Sequence, residues 1–425
     1  MRLDHVAIDG FKNLHGLELD FDETKLTTVI IGQNGSGKSN LIEAIVRVFR
    51  AYDLGEDYPQ FKYRIIYRIQ GFKVELSNLN ARATVLLDGE ALSLKNFSDR
   101  KSDIFPDMIF GYYSGSGRRL ESLFDRHQAR YYRHVYREDT DIDVAERERR
   151  LFFCRPVHGA MALLCQSAFP DEKIKRLLNQ YLRIADVHSA LAVLREPSWF
   201  NQNTWNKQAN IYSFKLNGRP PLDRKLAWPI DMWGAKGIAG ECTRNLRDSA
   251  FMPVAAVSKE SDDYRNKPAE ETQLGCFLRN QSAIDQFRQK YETDQKMFQA
   301  LEALDISDLV RRITVWVNRT DVTTSEVSFS DLSDGERQLL MVLGLIRIAR
   351  NKRVLFLLDE PDTHLNPVWQ REYLRLLETW VEEVGTDRNC QFILTSHNPL
   401  TISALSKEEV RVMWQTEAGQ VKAEE

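Results

Sequence analysis

A glycine-rich stretch near the start of the chain has the spacing GxxxxGK(S/T) of a phosphate-binding loop. Its residues are Gly32, Gln33, Asn34, Gly35, Ser36, Gly37, Lys38 and Ser39, with Asn40 next. The apolar residues 26–31 before it predict a buried strand, and residues 40–50 after it predict a helix. Backbone N–H groups of such a loop cradle phosphate oxygens at the helix N-terminus. We therefore expect Lys38 to contact the β- and γ-phosphates of a nucleotide and the Ser39 hydroxyl to bind Mg²⁺.

Two carboxylates follow a second apolar run. Residues 354–358 are continuously apolar, as in a strand buried on both faces, and Asp359 and Glu360 come directly after them. Sheets of α/β proteins bind ligands at the carboxyl ends of their strands. We expect Asp359 to hold Mg²⁺, directly or through water, and Glu360 to act as the general base that polarises an attacking water. An exposed acidic turn is the alternative for this pair, and the phosphate loop disfavours it.

The sequence LSDGE at residues 332–336 opens a predicted helix at 335–349. Ser333 is a good N-cap, and Glu336 stands three residues later as in a capping box. A capped helix N-terminus with a free hydroxyl and a glycine N–H can also bind an anion, so Ser333 and Gly335 are candidate phosphate ligands. The two interpretations are compatible, although the carboxylate of Asp334 disfavours phosphate.

A histidine ends the last of these motifs. His397 follows the predicted strand 391–395, in the sequence TSHNP. A lone histidine is more often structural than functional. This one lies at the carboxyl end of a strand, where a contact to a γ-phosphate is needed, and we therefore predict a functional role for it.

The elements around the motifs suggest an α/β domain that a long insertion interrupts. Short strands at residues 61–94 predict an antiparallel layer, and Met108–Tyr113 predicts a further strand. Residues 120–195 are charged and predicted to be helical, 197–270 are irregular with six prolines, and a helix resumes near 282–304. We predict an N-terminal part at 1–118, a mostly helical insertion at 119–310 and a C-terminal part at 311–425.

Composition bounds the class of protein. The 425 residues carry 58 Lys+Arg against 61 Asp+Glu, a net charge of −3, which disfavours a generally basic nucleic-acid binder. No window approaches the roughly 18 apolar residues of a membrane span, and the N-terminus lacks the features of a secretory signal. The lack of such a window leads us to expect no membrane partner. The five cysteines show no CxxC or metal-ligand spacing, so we expect reduced thiols in a cytoplasmic protein.

Together and in this order, the motifs resemble those of an ABC-type ATPase head, an α/β fold of the P-loop NTPase class with a mixed sheet and an antiparallel β layer. The motifs are GQNGSGKS, LSDGE, LLFLLDEPDTHLNP and TSHNP. The opening IDGFKNLHGLELDF is similar to that of the SMC, RecF and OLD branch rather than to transporters. The resemblance covers 1–118 and 311–425, about half the chain. The insertion has prolines through its middle and no sustained heptads, so a long coiled coil is not expected.

The resemblance implies a mechanism. Two chains would face head to tail and sandwich ATP between Lys38 of one chain and Ser333 of the other. Glu360 would be the hydrolytic base, residues 361–366 would cross the dimer interface, and His397 would sense the γ-phosphate. Lys12 matches the basic residue that follows Phe in the family's opening motif. At that position it would approach the nucleotide phosphates. This chain departs from the family by having Asp334 where glycine is usual, and no glutamine loop is evident after Met108–Tyr113.

The compact insertion and the motifs together look most like the ATPase subunits of bacterial antiphage systems of the Septu, PARIS or retron-associated kind. In those systems the nuclease or toxin is commonly a separate chain. We therefore expect an Mg²⁺-dependent ATPase that assembles with itself, as a dimer or a multiple of dimers, and controls a separate effector protein, with nucleic acid or a phage component as trigger. The alternatives are a DNA-repair ATPase clamp of the RecF type and, less favoured, a transporter ATPase.

The insertion offers weak candidates for a second activity. Asp141 and Asp143 form a DxD, but the helix-like sequence that follows disfavours a Toprim nuclease. Arg183 and His188 have the RxxxxH spacing of some RNases, but Ile184 follows the arginine where a polar residue is usual. Residues 131–137 interleave aromatic and basic side chains, for which we favour an amphipathic helix over a nucleic-acid surface. Four tryptophans at 199–233 are better explained as a small core or protein-docking face than as a base-stacking platform. We identify no nuclease site.

Overall fold

The structure is a computed structural model of the chain. It describes residues 1–79, 82–115, 117–135, 149–208, 215, 218–219, 223–260, 269–321, 326–385, 389–403, 405–416 and 421–424. Within these residues, no helix is both long and apolar enough to cross a bilayer. All five cysteines are buried, and none of them forms a disulfide.

Strands and helices alternate along the chain. The strands are β1 (Arg2–Asp9), β2 (Leu17–Asp20), β3 (Thr27–Gly32), β4 (Lys62–Ile69), β5 (Phe72–Ser77), β6 (Thr84–Leu87), β7 (Glu90–Leu92), β8 (Met108–Tyr113), β9 (Leu151–Phe153), β10 (Ile184–Arg195), β11 (Val254–Glu260), β12 (Ala269–Leu278), β13 (Val310–Arg319), β14 (Glu326–Ser328), β15 (Val354–Asp359), β16 (Cys390–Ser396), β17 (Val410–Gln415) and β18 (Val421–Glu424). The α-helices are α1 (Lys38–Leu54), α2 (Leu94–Asp99), α3 (Lys101–Ile104), α4 (Asp125–Val135), α5 (Pro156–Ala168), α6 (Glu172–Leu182), α7 (Gln202–Gln208), α8 (Ala227–Ile230), α9 (Gly237–Ser249), α10 (Gln281–Arg288), α11 (Asp294–Ile306), α12 (Asp334–Ile348) and α13 (Pro367–Val384).

The chain forms two compact units. The first unit consists of Met1–Gln128, Arg149–Arg155 and Ala349–Glu425, and the second of Ala129–Glu148 and Pro156–Ile348. The predicted boundaries near 118 and 310 differ from these limits. In particular, the second unit extends to the end of α12 and therefore includes the helix that follows LSDGE.

The first unit contains a seven-stranded sheet in the order β18-β17-β3-β16-β15-β8-β9. Its strands pair in parallel, except that β17 and β18 are antiparallel. Strands β3, β16 and β15 are adjacent, so their carboxyl ends meet at one edge of the sheet. In the register of β15 and β16, Asp359 lies opposite Thr395. This edge therefore collects the glycine loop, the two carboxylates and the segment that contains His397.

Aromatic packing holds the central strands of this sheet together. The rings of Phe110, Phe356 and Phe392, on β8, β15 and β16, stack nearly parallel with centroids 5.0 and 4.4 Å apart. A six-stranded antiparallel sheet in the order β2-β1-β4-β5-β6-β7 forms the predicted second layer. Phe49 of α1 contacts Tyr67 of β4 and Phe105, each with centroids 5.7 Å apart. Each such fully buried aromatic side chain contributes on the order of 2–3 kcal/mol through the area it removes from water.

The second unit combines helices with an antiparallel sheet in the order β11-β12-β10-β13-β14. Two of its helices, α5 and α12, approach closely because small residues face each other. A Cβ on Gly344 would lie 2.2 Å from Cβ of Ala162, and a Cβ on Gly159 would lie 2.7 Å from the Phe329 ring. The helix that opens with LSDGE is therefore firmly packed within this unit.

The insertion differs from the prediction in its strands. Residues 119–310 contain many helices, but they also supply β10, β11 and β12 of the five-stranded sheet. The single helix predicted at 282–304 is two helices, α10 and α11, with Asn280 and Thr293 as their N-caps. Each cap side chain accepts a backbone N–H three residues later, and the second cap starts a new helix after the break.

Candidate functional site

The glycine-rich loop connects β3 to α1 in the first unit. Gly32 ends the strand, and a Cβ there would lie 2.2 Å from the backbone oxygen of Met413, so no larger residue fits. Gly37 caps α1 with φ of 98°, a left-handed conformation that favours glycine. The helix starts at Lys38, and its first N–H groups are therefore directed at the loop. Strand, loop and helix follow each other as the sequence predicts.

The lysine and serine of the loop fit a phosphate group. Lys38 is buried, and its Nζ donates to the carbonyl oxygens of Gly32 at 2.7 Å and Gln33 at 3.3 Å. Burial lowers the pKa of Lys38, while Glu360 and Asp359 act in the opposite direction. The hydroxyl of Ser36 is buried and, among the described residues, has no hydrogen-bond partner. A phosphate oxygen is the acceptor that such a cationic amine and hydroxyl require.

The turn after β1 supports the loop from the side. Asn13 Nδ2 donates to the Gly35 carbonyl at 2.9 Å, and Asn40 Nδ2 donates to Asn13 Oδ1 at 2.6 Å. Lys12, whose φ is 52°, directs its amine to Glu43 of α1. The predicted nucleotide-binding residues Lys12 and Asn40 thus lie beside the loop, and Asn13 is a supporting residue that the sequence analysis missed.

Glu43 is a buried carboxylate that three cations share. Its side chain is 2% exposed and pairs with Lys12, with Arg47 at 2.9 Å and with Arg119 at 3.2 Å. The three cations come from the turn after β1, from α1 and from the segment after β8. One carboxylate does not neutralise three cations, so a net positive charge remains next to the phosphate loop. Such a charge favours a polyanionic ligand.

Asp359 connects the end of β15 to the loop. Its Oδ1 accepts a 2.9 Å hydrogen bond from the Ser39 hydroxyl and a 2.6 Å bond from the Thr395 hydroxyl, and the residue is 2% exposed. Burial raises the pKa of Asp359 above its ordinary value, although these two hydrogen bonds and the charge of Arg119 act in the opposite direction. A hydroxyl and a carboxylate at hydrogen-bond distance form the oxygen donor set that Mg²⁺ prefers. Ser39 and Asp359 therefore fit the predicted metal site.

Glu360 has an unusual backbone conformation. Its φ is 55°, which is uncommon outside glycine, and its N–H donates to Thr395 Oγ1 at 3.0 Å. The carboxylate Oε1 lies 3.5 Å from Nδ1 of His397, and both side chains are partly exposed. The structure thus brings the predicted base and the predicted histidine together.

The loop at residues 361–366 is anchored on its own chain. Asp362 is buried and accepts hydrogen bonds from the Ser396 hydroxyl at 2.6 Å and from Thr401. Asn366 caps α13 by accepting the N–H of Trp369 at 3.0 Å. Thr363 and His364, at the middle of the loop, are exposed. Thr363 and His364 are therefore accessible to another molecule, while the residues on either side of them hold the loop in place.

The LSDGE segment is a capping box at the start of α12 in the second unit. The Ser333 hydroxyl accepts the Glu336 N–H at 3.2 Å, and Glu336 Oε2 accepts the Ser333 N–H at 2.8 Å. The same hydroxyl donates to Glu336 Oε2 at 2.9 Å, so the expectation of a free hydroxyl is wrong, and Ser333 would have to exchange this acceptor for a phosphate oxygen. Asp334, the departure from the family motif, pairs with Arg337, which offsets its charge. Ser333 is exposed and Gly335 is buried.

The glutamine-loop equivalent stays unassigned. After β8, the Ser114 hydroxyl lies 3.4 Å from the Thr363 hydroxyl, and Ser116 is outside the described residues. Arg119 follows in the same segment and contacts Glu43, which the sequence analysis did not anticipate. The glycines and serines at residues 114–117 do not indicate that contact, because it depends on the direction in which the chain turns after β8.

The candidates for a second activity are not strengthened by the structure. Arg183 is the C-cap residue after α6, whereas His188 lies in β10 with its Nε2 3.3 Å from Glu326. Tyr131 and Val135 are buried and Arg133 is exposed, which agrees with an amphipathic helix. Asp141, Asp143, Tyr136 and Arg137 lie outside the described residues.

The tryptophans of the insertion are core residues rather than an exposed platform. Trp205, Trp228 and Trp233 are buried. Trp199, Trp205 and Trp233 donate their indole N–H groups to Ser307, Asp231 and Thr272, respectively. These contacts support the prediction of a small core.

Family models match two parts of this chain, and two retron ATPases are similar to nearly all of it. A family model described as "AAA ATPase domain" matches residues 1–105, and one described as "AAA domain, putative AbiEii toxin, Type IV TA system" matches residues 256–403. The chain is 23% identical to the retron Vc95 probable ATPase of Vibrio cholerae, over 97% of this chain and 73% of that protein. It is 21% identical to the retron Ec83 probable ATPase of Escherichia coli, over 99% and 72%. The SMC head domain from Thermotoga maritima matches with 15% identity and a TM-score of 0.39, over 100% of this chain and 98% of that one.

Proposed function

Since the chain is an ABC-type ATPase of the SMC- and RecF-like branch, related to retron ATPases, we propose that it hydrolyses ATP with Mg²⁺ to control a separate effector in an antiphage defence complex. The observation that carries the hydrolytic part is the hydrogen bond between Ser39 and Asp359, beside Lys38 and Glu360. It joins the phosphate loop to the carboxylates at the end of β15. A structural glycine turn has no need of that connection.

The residues of the site divide the chemistry among themselves. Lys38 and the loop N–H groups bind the phosphates, and the Ser36 hydroxyl supplies a further donor. Ser39 and Asp359 would hold Mg²⁺, which would supply positive charge to offset that of the nucleotide phosphates. Glu360 accepts the proton of the attacking water, and His397, 3.5 Å from it, orients its carboxylate and reaches toward the γ-phosphate.

The composite site requires a second copy of the chain. The exposed Ser333 hydroxyl and the N-terminus of α12 are suited to contact a γ-phosphate bound to the partner's loop. ATP that touches both chains stabilises the closed dimer by its differential affinity for that state. Hydrolysis removes this stabilisation and reopens the dimer. An effector that binds the closed and the open dimer with different affinity would therefore be controlled by ATP hydrolysis.

The role in defence is supported by the retron relatives, whose similarity extends over nearly the whole chain. Their match includes the insertion. We propose a nuclease or toxin as the effector, and nucleic acid or a phage component as the trigger.

The test is native mass spectrometry of tagged Glu360→Gln protein, purified with ATP and Mg²⁺ from its own cells. We expect an even-numbered assembly that contains a second protein at fixed stoichiometry. The Lys38→Ala variant, purified in the same way, is the control and should lose the nucleotide. An even-numbered assembly that carries only nucleotide and DNA would instead favour a RecF-like repair clamp, whose DNA affinity must fall steeply with salt.

A further inference from the structure

Thr395 contacts both acidic residues of the site, the carboxylate of Asp359 and the backbone N–H of Glu360. It is the last residue but one of β16, and it is fully buried. Its Oγ1 donates to Asp359 Oδ1 at 2.6 Å and accepts the N–H of Glu360 at 3.0 Å. A hydroxyl has one proton, and here that proton is committed to the carboxylate while a lone pair takes the N–H. The orientation of the hydroxyl is therefore fixed from both sides.

The sheet and the turn after β15 create this arrangement. Asp359 lies opposite Thr395 in the parallel register, so the two side chains are neighbours at the edge of the sheet. The chain then turns sharply, and Glu360 takes φ of 55°. A left-handed conformation at a non-glycine residue persists only when its surroundings enforce it. The hydrogen bond from the Glu360 N–H to Thr395 is one such constraint, and it directs the carboxylate toward His397.

We propose that Thr395 is a positioning residue for hydrolysis, which couples the metal-binding carboxylate of Asp359 to the backbone of the base Glu360. This inference rests on the proposed ATPase function. It predicts that loss of the hydroxyl disturbs the geometry of the base more than the binding of ATP, because Lys38 and the loop hold the phosphates independently of Thr395. Partners that orient a metal ligand typically account for about 10- to 100-fold in activity.

A matched set of variants separates this role from a merely structural one. Thr395→Val keeps the shape and removes the hydroxyl, while Thr395→Ser keeps the hydroxyl. Should valine not fit, Thr395→Ala and Thr395→Ser differ from each other by the hydroxyl alone. The control is Thr28→Val, at a buried threonine of the neighbouring strand β3 whose hydroxyl has no hydrogen-bond partner among the described residues.

The experiment measures kcat, KM and direct ATP affinity for each variant, with thermal unfolding to verify folding. We expect Thr395→Val and Thr395→Ala to lower kcat by about 10- to 100-fold with less than about a threefold change in ATP affinity. Thr395→Ser and Thr28→Val should stay within about threefold of the unaltered protein in kcat. Unchanged kcat in Thr395→Ala, or an equal loss in Thr395→Ser, would overturn the inference. Absence of hydrolysis in the unaltered protein would instead overturn the proposed function.

Discussion

The Ser39 hydroxyl donates a 2.9 Å hydrogen bond to Asp359, which stands 320 residues later in the chain. Ser39 belongs to the first turn of α1, and Asp359 ends β15. Their contact is possible because β3 and β15 flank β16 in one parallel sheet and end at the same edge. Two oxygen ligands held together in advance lose little freedom when they bind a cation. Such preorganisation favours the metal site over a coincidental pair of polar residues.

Replacing Lys38 by alanine should abolish most ATP binding. The ammonium is the charge-assisted donor that the loop directs at the phosphates, and such a bond contributes about 1.5–3 kcal/mol, or roughly 10- to 150-fold in Kd. The measurement is ATP binding by calorimetry, with Lys95→Ala, at an exposed lysine of α2, as the control. ATP affinity that survives within twofold would remove Lys38 from the phosphate site.

Replacing Glu360 by glutamine should leave ATP bound but unhydrolysed. The amide is nearly the same size as the carboxylate, but it cannot accept a proton at the pH of the reaction. A general base contributes on the order of 10²–10⁴ to the rate. Phosphate release and ATP affinity should be measured on the same preparation. Turnover equal to that of the unaltered protein would exclude Glu360 as the base.

Mixing two inactive variants tests whether the site is shared between chains. Lys38→Ala removes the phosphate-loop half, and Ser333→Arg blocks the α12 half with a bulky side chain. If ATP is sandwiched between two chains, a mixed dimer contains one site with both halves intact, and part of the ATPase activity should return. Each variant alone serves as the control. No recovery, in mixtures for which exchange of chains is demonstrated, would argue for independent sites.

Motifs and buried strands could be predicted from the sequence because they depend on local pattern. Met108–Tyr113 has the predicted limits, since an apolar run marks this strand clearly. The capping box at Ser333 is likewise a local signature. The carboxyl ends of the parallel strands lie at one edge of the sheet, as the predicted strands imply. This edge therefore brings together the five residues predicted to do chemistry, which are Lys38, Ser39, Asp359, Glu360 and His397.

Long-range pairing could not be predicted in the same way. Residues 184–195 are rich in alanine and leucine, which favour helices, yet they form β10 because β12 and β13 pair with both of its edges. The roles of Thr395 and Arg119 depend on partners that lie far away in the chain. Nothing in their sequence neighbourhood identifies the carboxylate or the N–H group that each of them contacts.

Arg118 and Arg119 are consecutive arginines with different surroundings. Arg118 is 69% exposed and pairs with Glu121 at 3.0 Å and Asp125 at 3.4 Å, so neighbouring surface carboxylates offset its charge. Arg119 shares the buried Glu43 with Lys12 and Arg47, and its charge also acts on Asp359, where it opposes the rise in pKa that burial causes. Of these two arginines, we therefore expect Arg119 and not Arg118 to contribute to the positive potential at the nucleotide site.

Arg119→Ala should weaken ATP binding by roughly 2- to 10-fold, as expected for the loss of a half-exposed charge several ångströms from a polyphosphate. Arg118→Ala should change it by less than twofold. The fold should tolerate Arg119→Ala, because Lys12 and Arg47 still neutralise Glu43. ATP affinity of both variants should be measured at about 50 mM and 500 mM salt, since screening must reduce the difference if it is electrostatic. Equal effects of the two substitutions, or a difference that salt leaves unchanged, would contradict this role of Arg119.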